Sequence, residues 1–293
     1  MDTQDIKALL SQHGFKFSKS MGQNFLIDKN IPEKIVRLSG IDLSDGVLEV
    51  GPGAGALTVE LSKSAGKVTA VELDKRLTPI LKTTLGNRGN VEIVEGDILK
   101  LNIAALVHEK MPDMRYHVCA NLPYNITTPA LSAFIDANVF ESITVMVQKE
   151  VAERICASPG NRQYGAFSVY ANYHTEPEIL FDVPPECFMP RPNIVSSVVT
   201  LRPRRERMLS PEDERQFFRV VRAAFGQRRK TLVNALYAAF GNELEKDEIA
   251  DIVIRCGFNP QIRGETLDIE AFAKLSSELA NAKKSVDKNR KML

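Results

Sequence analysis

The sequence predicts an α/β protein built on a parallel, doubly wound sheet, followed by a smaller all-helical domain. Between Val47 and Cys156 short apolar runs alternate with helix-length segments, the pattern of successive βαβ units. The first run ends in Gly51-Pro52-Gly53-Ala54-Gly55, a turn of the kind that open α/β sheets place at their ligand crevice. From about Ser210 the apolar spacing is that of helices alone.

The elements follow in order. A short helix over 5–12 precedes a basic segment, Lys16 to Ser20, and the loop Gly22-Gln23-Asn24-Phe25-Leu26. Asn30 is placed to cap the next helix, with Pro32 in its first turn and Glu33 at the capping-box position. Strands are predicted at 47–50, 68–72, 91–95, 116–120 and 143–147, with helices at 56–64, 76–85, 103–109, 128–137 and 150–156. A helix is predicted over 165–174 and a strand over 178–183. The proline-rich stretch Pro184 to Pro192 then stiffens a loop that feeds another strand. Helices at 211–224, 230–240, 245–256 and 269–280 complete the chain. The expected domains are 1–207, 208–281 and a basic flexible tail, 282–293.

Length allows one large domain and one small one in 293 residues. No run of 18 apolar residues occurs and the first residues are polar, so a cytoplasmic protein without a membrane partner is expected. Cys119, Cys156, Cys187 and Cys256 are scattered and lack metal-ligand spacing, so no metal site is expected. The formal charge is only +1, but ten Lys or Arg against four Asp or Glu fall between Arg202 and Lys230. That concentration suits a polyanionic partner.

Candidate site residues cluster at strand ends. The turn reads G-x-G-x-G, not the G-x-G-x-x-G of a pyrophosphate site. Glu49, just ahead of Gly51 and Gly53, would repel a phosphate and suits a cationic ligand. Glu72 ends the second strand, where a carboxylate can accept from ribose hydroxyls. Asp97 ends the third, able to accept from an adenine amine, with Ile98 beside the ring. Asn121-Leu122-Pro123-Tyr124 ends the fourth. Pro123 stops the ladder, so an amide oxygen and a main-chain carbonyl of Leu122 or Pro123 can accept both N–H groups of an exocyclic amine while Tyr124 stacks on the base. Phe188, among prolines, is a candidate second ring for a base sandwich. Arg228, Arg229 and Lys230 at a turn suit phosphate contacts, with Phe225 as core.

These motifs stand together in one order: Asn24-Phe25-Leu26, Glu49-x-Gly51-x-Gly53-x-Gly55, Glu72, Asp97, Asn121-Leu122-Pro123-Tyr124, Phe188-x-Pro190-x-Pro192 and Phe225-x-x-Arg228-Arg229-Lys230-Thr231. In this the chain resembles the rRNA adenine N6-dimethyltransferases up to about Asn281. The resemblance implies a Rossmann-like class I S-adenosylmethionine-dependent methyltransferase fold, with S-adenosylmethionine as cofactor. It implies Asn24, Leu26, Gly51, Glu72, Asp97 and Asn121 as cofactor contacts. The implied substrate is two adjacent adenosines in the 3′-terminal hairpin of 16S rRNA, within the immature small ribosomal subunit. Ile194 stands where the family usually has Val. A monomer that does not act on DNA is expected, since no target-recognition insertion is seen. The rivals are a resistance-type methyltransferase of large-subunit rRNA, which shares the catalytic motifs, and a non-enzymatic assembly factor.

Overall fold

A computed structural model describes residues 3–18, 22–206 and 208–291. Lys19 and Ser20 of the basic N-terminal segment, and the last two residues of the expected tail, lie outside them. Two compact units form: Met1–Ala152 with Thr175–Pro203, and Glu153–His174 with Arg204–Leu293.

The first unit holds, in order, α1 (Thr3–Gln12), β1 (Phe25–Leu26), α2 (Asn30–Ser39), β2 (Asp45–Val50), α3 (Ala56–Ser64), β3 (Lys67–Glu72), α4 (Thr78–Leu85), β4 (Val91–Glu95), α5 (Ile103–Lys110), β5 (Arg115–Asn121), α6 (Thr127–Ala137) and β6 (Phe140–Gln148). After α7 (Lys149–Ile155) carries the chain out, it returns as β7 (Thr175–Val183), β8 (Phe188–Met189) and β9 (Ser196–Pro203). Seven strands make one sheet in the order β4-β3-β2-β5-β6-β9-β7. Five are parallel, as the alternation predicts. The expectation of a wholly parallel sheet is corrected at one edge, where β9 runs antiparallel to both β6 and β7. No crossover helix separates β7 from β9, and a direct connection returns a strand antiparallel.

The central strands are buried on both faces, which explains their unbroken apolar runs: Val47, Leu48, Val118 and Cys119 are fully enclosed. Strand order reverses between β2 and β5, so the crevice outside their carboxyl ends lies beside the glycine turn and Asn121. The start of α2 differs from expectation. Asp28 Oδ1, not Asn30, accepts there, from the Asn30 backbone N–H and its side-chain amide, both at 2.9 Å. A two-stranded ladder not foreseen in the sequence pairs Phe25 with Met189 and Leu26 with Phe188.

The second unit contains α8 (Ala166–His174), α9 (Pro211–Gly226), α10 (Leu232–Phe240), α11 (Lys246–Arg255) and α12 (Ile269–Lys291). The domain expected at 1–207 is therefore corrected: 153–174 belong with the helices. Tyr164, Val169 and Tyr173 are buried in one apolar cluster with Phe217, Leu236 and Phe272. The Tyr164 hydroxyl also donates to the Leu267 carbonyl at 2.9 Å. Phe225 sits against Tyr164 and Phe272, as core. Thr231 caps α10, which leaves Lys230 ahead of the helix. The segment expected as a basic flexible tail is helical as far as it is described, with α12 running through Ala282 to Lys291. Among the described residues no helix is long and apolar enough to cross a membrane.

Candidate active site

Ten of the eleven residues singled out for the cofactor and base line one cleft in the first unit. Asn24, Leu26, Glu49, Gly51, Gly53, Glu72, Asp97, Ile98, Asn121 and Tyr124 all face it. It encloses about 220 Å³, many times the ~10–15 Å³ that one water needs.

The glycine turn is shaped by close approach. Gly51 and Gly53 have φ of 67° and 59°, a region that favours glycine. A Cβ on Gly51 would lie 3.3 Å from Pro123 Cδ, and one on Gly53 2.9 Å from the Phe25 ring. The turn after β2 thus touches both the Asn121–Tyr124 segment and the β1 segment.

Electrostatics separate the carboxylates. Glu49 is buried, and its Oε2 has no hydrogen-bond partner. Burial, helped by the nearby Glu72 charge, pushes its carboxyl up to about 8; the Thr58 hydroxyl pulls the other way without reaching hydrogen-bond geometry. Glu72 is also shifted upward, chiefly by burial. Its Oε1 accepts from the Asp74 N–H at 2.8 Å and its Oε2 from the Gly53 N–H at 3.4 Å, so its carboxylate is held in place with lone pairs to spare. Asp97 Oδ1 caps a short turn through the Leu99 N–H at 3.1 Å, with Lys100 at 3.5 Å from Oδ2.

Asn121 is held in one orientation. Its Nδ2 donates to the Asn24 carbonyl at 3.1 Å, which leaves Oδ1 as an acceptor without a partner among the described residues. Of the two carbonyls left open by the sequence, that of Pro123 already accepts from the Ile126 N–H at 3.1 Å and Thr127 Oγ1 at 3.3 Å. No hydrogen bond to the Leu122 carbonyl is found among the described residues, which makes it the second acceptor. Tyr124 is half-buried, its hydroxyl 2.8 Å from Ser196 Oγ. Burial raises its pKa, against the pull of that hydrogen bond.

Two candidate residues stand apart from the cleft. Phe188 does not line the cleft; it is 3% exposed and buried with Leu26, Ile35 and Val198. Its strand β8 pairs with β1, Phe188 opposite Leu26, and both side chains enter the same core cluster. Arg228, in the second unit, is engaged internally: its guanidinium donates to the Arg162 and Tyr164 carbonyls at 3.0 and 3.1 Å and approaches Glu265 at 3.4 Å. Arg229 and Lys230 are exposed.

The cleft also recruits residues that the sequence did not single out. Leu73 and Leu99, each following a site residue, stand exposed at its edge, an apolar pair placed for a flat ring. Gln23 Nε2 donates to Asp74 Oδ2 at 2.9 Å, tying the β1 segment to the end of β3. Only contacts between distant segments reveal that role.

These residues fit S-adenosylmethionine. A buried carboxylate oxygen without a partner suits an ammonium, the Glu72 carboxylate a ribose diol, and the Asp97–Ile98 end an adenine. Among the described lining residues there is no Lys or Arg, and the buried carboxylates there disfavour a phosphate.

The chain matches the family described as ribosomal RNA adenine dimethylase over residues 14–275. It is 45% identical to a ribosomal RNA small subunit methyltransferase A of Alkaliphilus oremlandii, covering 94% of this chain and 96% of that protein. It is also 45% identical to the protein of that name from Geobacillus kaustophilus, covering 94% of each. A dimethyladenosine transferase of Plasmodium falciparum superposes with a TM-score of 0.75 at 27% identity, covering 89% of this chain and 98% of that one. The 23S rRNA methyltransferase ErmE shares the fold, with a TM-score of 0.69 at 24% identity over 87% of this chain and 99% of its own. With its glycine turn, acidic strand ends and Asn-Leu-Pro-Tyr segment on a single cleft, this chain belongs to the ribosomal RNA adenine dimethylase family, enzymes that use S-adenosylmethionine as methyl donor.

Proposed function

We propose that the protein dimethylates the N6 amines of two adjacent adenosines in the 3′-terminal hairpin of 16S rRNA, acting as a monomer in the cytoplasm on the immature small subunit. The observation that carries the chemistry is the pinned Asn121 amide beside a free Leu122 carbonyl. The choice of subunit rests on relatives bearing the small-subunit name, at 45% identity over nearly the whole chain.

S-adenosylmethionine, when bound, supplies an electrophilic methyl group on a sulfonium. Glu49, Glu72, Asp97 and the 51–53 turn would hold it. The amine to be methylated is a weak nucleophile because its lone pair is conjugated into the purine. Asn121 Oδ1 and the Leu122 carbonyl accept its two N–H groups, which favours a pyramidal nitrogen and frees the lone pair. No buried base is needed, since the proton becomes acidic as the new bond forms. Positioning and fixed dipoles therefore carry the rate. Tyr124 offers the face on which the extruded base stacks.

Docking falls to the second unit. Arg228 ties the 162–164 carbonyls to its own turn, and the Leu232 N–H donates to the Ile262 carbonyl at 2.7 Å. Three loops thereby meet, presenting the exposed Arg162, Arg229, Lys230 and Arg263 to RNA phosphates. Replacing Arg229 and Lys230 with Ala should flatten the log–log salt dependence of RNA binding by about one to two units. Arg228→Ala should instead lower unfolding stability by about 1–3 kcal/mol, through its lost charge-assisted hydrogen bonds. Equal salt slopes for wild type and the double variant would place the RNA on another surface.

A further inference from the structure

We propose that Ser196 is a positioning residue for base capture, fixing the Tyr124 ring at the angle on which the extruded adenine stacks. The inference rests on the stacking role given to Tyr124 above. Tyr124 begins a single 3₁₀ turn, Tyr124–Ile126, with no side-chain cap, so its local backbone does little to orient a ring that turns about two torsions. The hydroxyl at the far end of that ring is 2.8 Å from Ser196 Oγ. A bond there fixes where the axis of the ring points, and because a phenolic oxygen donates and accepts near the plane of its ring, it also favours one tilt of the ring about that axis.

Ser196 is suited to be the fixed partner. It is fully enclosed and stands at the first position of β9, in register with Gln148 on β6 and with Val183 on β7. Its neighbours are clamped as well. The Lys149 N–H donates to the Val195 carbonyl at 3.0 Å, and Ser197 Oγ donates to Asp182 Oδ1 at 2.7 Å. The proline-rich loop that was expected to present Phe188 to the base thus delivers Ser196 to the back of Tyr124. A half-buried phenol needs such a partner, and a hydroxyl bond to this one element also ties the stacking face to a strand paired on both sides.

The test is a double-mutant cycle on methylation of unmodified small subunits, with cofactor affinity measured alongside. Ser196→Ala and Tyr124→Phe should each lower kcat/KM for RNA about three- to fifteenfold, the effect of losing one hydrogen bond. The double variant should be no worse than either single, and cofactor Kd should stay at the wild-type value. A 2-aminopurine placed at the target adenosine should show less extrusion in all three. Effects that multiply in the double variant, or wild-type kinetics in Tyr124→Phe, whose sheet is untouched, would overturn the assignment. Tyr124→Ala separates this from the reading beneath it: a large loss there beside a neutral Ser196→Ala removes only the positioning role, whereas a neutral Tyr124→Ala removes stacking itself.

Discussion

Asn121→Ala is expected to lower methyl transfer by about 10²- to 10³-fold, the scale on which a fixed hydrogen-bonding group acts in a transition state, while cofactor affinity stays within about tenfold. The separation follows from the geometry. In the proposed mechanism Asn121 supplies one of two acceptors for the reacting amine, whereas Glu49, Glu72 and Asp97 would hold the cofactor's charged and polar groups. Asn121→Asp sharpens the point. A carboxylate keeps an acceptor but loses the donor that the Asn24 carbonyl receives at 3.1 Å, setting two oxygens against each other. It should be nearly as impaired as alanine. Single-turnover methylation with isothermal titration of the cofactor measures both quantities. Wild-type turnover in either variant would remove Asn121 from the chemistry.

Glu49→Gln is expected to weaken cofactor binding by on the order of 10²-fold, since a buried ammonium loses its counter-charge. The same change should stabilise the protein without cofactor at alkaline pH. Glu49 is raised from 4.5 to about 8 in the folded chain, so between these values the folded state holds a proton that the unfolded state has lost. Its contribution is fully present below about pH 4.5 and fades as pH rises through about 8. Above that, glutamine should be more stable than wild type by on the order of 5 kcal/mol, seen in urea unfolding at pH 9. Cofactor binding near neutral pH should also release a proton, because an ammonium selects the carboxylate. Titration calorimetry in buffers of different ionisation enthalpy reads that release. No buffer dependence in wild type, or an unchanged stability profile in the variant, would refute the assignment.

The parts of the site that could be read in the sequence are those that depend on strand ends. Glu49, Glu72, Asp97 and Asn121 each close an apolar run, and parallel strands align their carboxyl ends, so periodicity alone brings them together. The glycine turn was legible for the same reason. What escaped depends on pairing between distant segments. Phe188 read as a loop aromatic because nothing local shows that it pairs with Leu26. Arg228 read as one of three equal cations because its carbonyl acceptors lie in the 162–164 loop. The grouping of 153–174 with the helical unit was hidden likewise, since Tyr164, Val169 and Tyr173 are buried among side chains of distant helices. The antiparallel edge was hidden because β7 and β9 have the composition of any sheet strand, and direction comes from the connection.

The proposed function joins a nucleoside cleft that presents one amine to one methyl donor with a helical unit that would dock on RNA. The most direct measurement is mass-spectrometric mapping of modified nucleotides, after the purified protein and S-adenosylmethionine react separately with small and large subunits that lack the modification. N6,N6-dimethyladenosine at two neighbouring positions of the 16S 3′-terminal hairpin, and none in the large subunit, is the expected result. Methylation confined to large-subunit rRNA, or no methylation of either, would contradict it.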